Sequence, residues 1–200
     1  MTIDDIPVIA PYFRFVTTNT CDFTVGGMFM WRDYFHMAWQ VEDGVLYSTL
    51  TGEDGNLYYN LPLGEDIPAG LRQCLARHPE RPVRFCTIPE ADLPLFRALP
   101  GRVEITEEEN FADYLYSAEE MIQLSGKKFS GQRNHISRFL RTCQSWSFEP
   151  LDNTDAAEVE TFFHTLNKKL NYTPGEAAEE NHKVQEVLEH LDQYGLVGGV

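Results

Sequence analysis

The sequence lacks the features of secreted, zinc-binding and membrane-spanning proteins. Its four cysteines lie far apart and form no CxxC pair; they are Cys21, Cys74, Cys86 and Cys143. We therefore expect neither a disulfide framework nor a metal site, and a reducing, cytoplasmic compartment fits this pattern. Residues 1–10 contain two aspartates and no basic residue, unlike a signal peptide. No apolar run approaches the ~20 residues that span a bilayer, so we expect no integral membrane segment.

Positive charge is also scarce. The chain has 16 Lys and Arg residues against 31 Asp and Glu residues, which gives a net charge of -15. Because binding to DNA requires cations that face phosphates, we expect no DNA partner, and RNA contact only through a local basic surface. Hydrophobic residues make up 42% of the chain, enough to fill a folded core.

Signature motifs of three large enzyme classes are missing. The sequence contains no Walker loop, no HExxH and no GxSxG. This excludes the phosphate-binding loop, the helical zinc-protease site and the serine nucleophile turn that these motifs build.

The first 116 residues alternate between strand and helix patterns. The pairs Asp43-Gly44 and Asp54-Gly55 favour hairpin turns, so they predict a three-stranded meander over 36–41, 45–51 and 56–63. A helix is predicted within 22–34. The remaining predicted elements are a helix at 68–78, a strand at 83–88, a helix at 89–99 and strands at 102–106 and 111–116. We interpret 1–116 as one complete domain.

Two further segments follow this domain. Residues 117–145 are predicted to be linking helices, and Ile136, Phe139, Leu140 and Cys143 recur at helical spacing as a buried stripe. Residues 146–200 are predicted to form a strand, two amphipathic helices and the start of a strand. This order matches the opening of a second domain, which we expect to be incomplete, with the chain truncated at Val200. In the alternative interpretation, the segment packs entirely on the first domain.

Several short stretches resemble a known family. They are Met28–Tyr34 with Trp31-Arg32-Asp33-Tyr34, Asp113–Tyr116, Gly126–Phe129 and Gln132–Phe139. These stretches resemble a bacterial family of uncharacterised proteins that is related to the C-terminal domain of phosphatidylglycerol lysyltransferase. The resemblance implies an α/β (α+β) fold of tandem acyl-CoA N-acyltransferase-like domains, with a mixed central sheet flanked by helices.

The same resemblance implies a function. Better-studied relatives move an aminoacyl group from a transfer RNA to a lipid or peptide. The implied function is therefore a fragment of an aminoacyl or acyl transferase whose donor site lies in the second domain. Acyl-CoA or aminoacyl-tRNA would be the donor substrate, and no bound cofactor is evident. The alternative is a non-catalytic interaction or scaffold protein that keeps the fold.

A local basic segment stands out against the acidic chain. Residues 121–148 contain no Asp or Glu. Cations near a helix N-terminus are disfavoured by about 0.3–1 kcal/mol each, and a bound anion would reverse that sign. The predicted anion- or substrate-binding residues are Lys127, Lys128, Arg133, Asn134, Arg138 and Arg141. They would contact a phosphate of transfer RNA, of coenzyme A or of a lipid headgroup.

Two alternatives stay open for this segment. Its cations could instead pair with Glu107–Glu109 or with Glu119 and Glu120 and hold two domains together. His135 is a candidate general base, although a helical histidine also serves for capping or packing.

The junction before the second predicted helix carries acids. Acetyl-CoA enzymes of this fold hold the pyrophosphate with a Gly-rich basic loop at this place, whereas the segment 63–68 contains Glu65 and Asp66. Because two carboxylates repel a pyrophosphate, we expect that the first domain is not a cofactor-binding copy. These acids also motivate the scaffold alternative.

Overall fold

The computed structural model of the protein describes residues 1–109, 112–170 and 174–200, without the side chains of residues 167, 170 and 174–181. The chain forms two compact units. The large unit consists of Met1–Phe111 and Asp152–Leu196, and the small unit consists of Ala112–Leu151 and Val197–Val200.

The large unit contains one sheet and several helices. Its helices are α1 Ile6–Ile9, α2 Val25–Met30, α3 Ile67–Ala76, α4 Leu93–Arg97, α7 Ala156–Leu170, α8 Pro174–Glu189 and α9 Leu191–Tyr194. Its strands are β1 Ala38–Glu42, β2 Val45–Thr51, β3 Leu57–Tyr59 and β4 Arg84–Phe85. Short 3-10 helices at Ile3–Asp5, Ala10–Phe15, Cys21–Phe23, Glu90–Asp92 and Asn153–Asp155 connect them.

The sheet has the strand order β1-β2-β3-β4. Neighbours β1, β2 and β3 are antiparallel, while β4 pairs with β3 in parallel. Asp43 and Gly44 both have positive φ, 50° and 74°, as a tight turn between twisted strands requires. The predicted meander is confirmed, and so is the coarser expectation of a mixed sheet flanked by helices.

Helix α3 packs closely on the sheet. The side chain of Asp66 caps its N-terminus by accepting a hydrogen bond from the Ala69 N–H, and the helix buries Gly70, Leu71 and Cys74. A Cβ at Gly70 would lie 3.0 Å from the Pro62 Cβ and 3.2 Å from the Val45 Cγ1. Glycine therefore permits the close approach of helix and sheet.

A second part of the core packs N-terminal residues of the large unit against its last helices. Ile9, Phe29 and Leu46 are almost fully buried and form one cluster with Tyr194 of α9. The rings of Phe29 and Tyr194 meet edge to face, with centroids 6.1 Å apart. Helices α8 and α9 thus complete the core around the N-terminal residues.

The small unit contains α5 Ala118–Gln123, a 3-10 helix Lys127–Phe129 and α6 Ser130–Thr142. The side chain of Ser117 accepts from the Glu120 N–H and caps α5. Backbone hydrogen bonds join Glu149 to Val200 and Leu151 to Gly198 around the bridge between Pro150 and Gly199. The strand predicted from residue 146 is therefore reduced to this short pairing.

Two predictions about these regions are wrong. Residues 102–106 and 112–116 form no strand, because no described neighbouring strand offers them hydrogen-bond partners. Asn110 and Phe111 lie outside the described residues. The stripe on α6 is not buried: Ile136, Phe139 and Leu140 are 47%, 45% and 50% exposed. Among the described residues of the small unit only Phe129 is buried, so little packs against this stripe.

The compact units do not follow the predicted domain bounds, since residues 152–196 group with the N-terminal residues. The assignment of acyltransferase-like domains to 1–116 and 146–200, linked by 117–145, stays a prediction. A helix that could cross a bilayer, which would have to be both long and apolar, is not found in the described parts of the chain.

Candidate functional site

The predicted anion site lies at the entrance and along one face of α6. Gly126 has a φ of 84°, which allows the chain to turn sharply into the 3-10 helix that precedes α6. Phe129 at the end of that turn is buried and anchors the segment. The turn therefore places Lys127 and Lys128 directly before the first residue of α6.

Arg133 has a structural contact. Its Nη1 donates to the carbonyl oxygens of Leu124 and Gly126, the latter at 2.8 Å. Leu124 is the left-handed C-cap of α5, where helical carbonyls have no partner of their own. The guanidinium of Arg133 therefore stabilises the end of α5.

Lys128 also has a partner. Its Nζ lies 2.7 Å from the Glu120 Oε1, and both side chains are more than half exposed. Glu120 is one of the acids named by the ion-pair alternative. Because the pair faces water, its contribution to stability is small.

The other members of the predicted site have no side-chain partner among the described residues. Lys127, Asn134, His135, Arg138 and Arg141 are exposed, and their side chains form no described hydrogen bond or ion pair. Asn134, Arg138 and Arg141 follow one another at i, i+4 and i+7, so they share one face of α6. The site as a whole stays a prediction. Its three cations without a described partner are Lys127, Arg138 and Arg141.

The large unit contains a cleft that the sequence motifs did not indicate. It has a volume of about 860 Å³ and lies between α1, the 3-10 helix Ala10–Phe15, the β1–β2 hairpin and the N-terminus of α3. Val45 and Tyr47 of β2 are buried beneath it. The one sequence signal was the acidic junction with Glu65 and Asp66, which lines this cleft.

The α3 N-terminus in this cleft offers few free amide donors. The Ala69 N–H donates to the Asp66 carboxylate at 2.8 Å, and the Gly70 N–H donates to the Asp66 carbonyl at 3.0 Å. Pro68 has no N–H at all. A phosphate would therefore meet a carboxylate where helix N-termini of phosphate sites present amides.

Comparisons with known proteins identify the family. Residues 13–199 match the family described as phosphatidylglycerol lysyltransferase, C-terminal. The chain belongs to this family. A crystal structure of a conserved protein of unknown function from Bacteroides thetaiotaomicron VPI-5482 is similar to the chain, with 26% identity and a TM-score of 0.76. The match covers 100% of this chain and 69% of that chain. None of the curated proteins is significantly similar in sequence.

In this member of the lysyltransferase C-terminal family, the Trp31–Tyr34 stretch contributes to a partly buried ionic cluster. We call Arg32, Asp33, Lys183, Glu186 and Tyr194 the Arg32 cluster. Two nitrogens of Arg32 lie 2.7 and 2.6 Å from the two carboxylate oxygens of Glu186, and the Tyr194 hydroxyl donates to Glu186 at 2.9 Å. Lys183 donates to Asp33 beside this pair. The cluster fixes α8 and α9 on the residues that follow α2.

Electrostatics in the Arg32 cluster favour the charged carboxylate and guanidinium. The hydrogen bond from Arg32 lowers the pKa of Glu186 to about 2, and the same bond raises the pKa of Arg32. Burial, with a smaller effect from Glu186, raises the pKa of Tyr194 to about 12. These shifts favour the charged forms of Glu186 and Arg32 and the neutral hydroxyl of Tyr194 near neutral pH. In the described parts of the chain, no group of three His, Cys, Asp or Glu residues is placed to hold a metal ion.

Proposed function

We propose that this chain takes part in aminoacyl or acyl transfer, with its donor site in a second acyltransferase-like domain that begins near residue 146. Membership of the phosphatidylglycerol lysyltransferase C-terminal family indicates a transferase-like function. The observation that carries the proposal is the extent of the family match, residues 13–199, which includes all of α6.

The unpaired cations just before and along α6 support a donor that carries phosphate. Both proposed donors, aminoacyl-tRNA and acyl-CoA, present phosphates, and Lys127, Arg138 and Arg141 have no carboxylate partner in the described chain. Arg side chains bind phosphate oxygens through two parallel N–H groups. The junction before α3 is a poorer site for phosphate, because the Asp66 side chain already accepts a hydrogen bond at the N-terminus of this helix.

His135 is the proposed general base, since it follows Asn134 on the same exposed helix. Proton uptake by His135 can be tested separately from donor binding. A His135→Gln variant should bind donor as the wild type does and lose transfer, because glutamine cannot take up the proton.

The experiment that tests donor binding compares two triple variants with the same charge change. Lys127→Ala/Arg138→Ala/Arg141→Ala removes the unpaired cations just before and along α6, and Arg72→Ala/Arg97→Ala/Arg102→Ala removes three exposed arginines of the large unit. Titration of aminoacyl-tRNA and acyl-CoA at several salt concentrations should show weaker binding for the first variant alone. For aminoacyl-tRNA, the slope of log affinity against log salt concentration should fall by ~0.7–0.9 for each phosphate that this variant no longer neutralises.

Equally weakened binding in both triple variants would show that binding follows net charge, and the proposed α6 site would be wrong. Unchanged affinity in the α6 variant would have the same consequence.

A non-catalytic interaction protein is the second candidate. The observations that favour it are the contacts of Lys128 with Glu120 and of Arg133 with backbone carbonyls, which leave part of the basic segment occupied. This candidate predicts that neither donor binds the wild-type chain at any salt concentration. Donor binding that depends on α6 would exclude it.

A further inference from the structure

The cleft of the large unit has the size and the floor of a small-molecule site. Pockets for small ligands have volumes of roughly 300–1,000 Å³ and mostly apolar linings. The cleft volume is about 860 Å³. Val45 and Tyr47 on its floor are only 7% and 5% exposed, while Val8 on α1 is 49% exposed. The apolar surface that a hydrocarbon stem can cover is therefore that of Val8 and of the partly exposed Tyr12, which also lines the cleft.

The charged groups around this floor are mainly carboxylates. Asp43, Glu65 and Asp66 line the cleft, against a single guanidinium, Arg14. Neither Asp43 nor Glu65 has a described side-chain partner, although both neighbouring segments are described. By contrast Glu42, next to Asp43, is held in an ion pair with Arg77. Two carboxylates that line the cleft therefore have no described cation partner.

The one cation of the cleft has an aromatic neighbour. The guanidinium of Arg14 lies 4.7 Å from the centre of the Phe15 ring. Arg77 lies 4.1 Å over the Tyr47 ring and is engaged by Glu42. Aromatic faces in this part of the molecule thus already accept cations, and the ring of Tyr12 also lines the cleft.

An anionic ligand is disfavoured at the same place. In the first turn of α3, the amides of Ala69 and Gly70 donate to Asp66 and Pro68 has none, so the helix end compensates little for the repulsion from Asp43 and Glu65. The combination of a partly apolar lining, unpaired carboxylates and aromatic walls matches an organic cation instead.

We propose that this cleft binds a ligand with a primary ammonium group on an apolar stem. The ammonium faces the carboxylates of Asp43 and Glu65, and the stem lies along Val8 and Tyr12. The site belongs to the large unit and does not depend on phosphate binding at α6, so either proposal can fail without the other.

Three probes of equal chain length test the charge preference. Hexylammonium, hexanol and hexanoate are titrated into the full chain, and backbone amide shifts are followed by NMR. Hexylammonium should shift the amides of 43–47 and 65–70 (except Pro68), hexanol should shift them at higher concentration, and hexanoate should leave them unchanged. Equal affinity for hexylammonium and hexanol, or binding of hexanoate, would overturn the proposal.

Paired variants locate the site. Asp43→Asn and Glu65→Gln should each weaken hexylammonium binding by about two- to fivefold, as expected for one partly exposed charge pair. Arg14→Gln should strengthen it, since it removes the like charge. The control variants Glu53→Gln and Glu80→Gln remove exposed acids outside the cleft and should have no effect.

A blocking variant separates binding in the cleft from binding elsewhere. Val8 is half exposed, so Val8→Trp can place its ring in the cleft without disturbing the core. Hexylammonium shifts should disappear in this variant while its thermal unfolding stays that of the wild type. Shifts that persist in a folded Val8→Trp variant, or control variants that weaken binding as much as Glu65→Gln does, would show that the cleft is not the site.

Discussion

Basic side chains meet glutamates in both units of this protein, but under different conditions. In the large unit Arg32 is 7% exposed and holds Glu186 through two short contacts. In the small unit Lys128 and Glu120 are more than half exposed, and Arg133 donates to the backbone carbonyls of Leu124 and Gly126. Burial makes the first pair part of the fold, whereas the exposed pair stays in contact with water and contributes little to stability.

The largest expected effect comes from breaking the buried pair. Arg32→Ala leaves the Glu186 carboxylate in the interior without its partner, so the free energy of unfolding should fall by about 3–5 kcal/mol. Chemical denaturation followed by circular dichroism measures this change. Most of this decrease should appear as a lower denaturant concentration at the midpoint of unfolding.

A double variant sharpens this comparison. Arg32→Met with Glu186→Leu removes both charges and fills the space with apolar groups, and such replacements are often neutral or stabilising. We expect the double variant to be clearly more stable than Arg32→Ala. A double variant as unstable as the single one would show that the contacts of Arg32 with the Phe29 carbonyl, rather than its pairing with Glu186, dominate.

The second effect is a pH dependence that the buried pair produces. Because the pKa of Glu186 is lowered to about 2 in the folded chain, its contribution to stability is present above the unfolded value of about 4.5 and is lost as pH falls from there to about 2. Glu186→Gln should remove this part of the acid sensitivity. Urea unfolding at pH 6, 4 and 3 measures it, and equal slopes in wild type and variant would contradict it.

The difference between the two units also explains what the sequence could predict. The Asp-Gly pairs and the Asp66-Pro68 helix start act through local backbone chemistry, and the predicted hairpins and α3 are present. The burial of the α6 stripe depends on what packs against it, which helical spacing does not specify. Ile136, Phe139 and Leu140 have the correct periodicity and are half exposed.

The two proposed binding surfaces also differ in how far the sequence indicates them. The basic segment of α6 was visible because its cations are adjacent in sequence. Arg32 and Glu186 are 154 positions apart, and a single sequence contains no signal that pairs them. The cleft likewise combines Val8, Asp43 and Glu65 from three separate elements, so only its acidic junction could be noticed beforehand.

The smallest expected effect concerns the exposed pair. A double-mutant cycle of Lys128→Ala and Glu120→Ala should give a coupling energy of about 0.2–1 kcal/mol at low salt, because both side chains stay solvated. The coupling should shrink further at 1 M salt, where the Debye length is about 3 Å. Denaturation of the four proteins at both salt concentrations measures it. A coupling comparable to that of Arg32 with Glu186, and insensitive to salt, would mean that Lys128 is desolvated and is no longer free to exchange Glu120 for a phosphate.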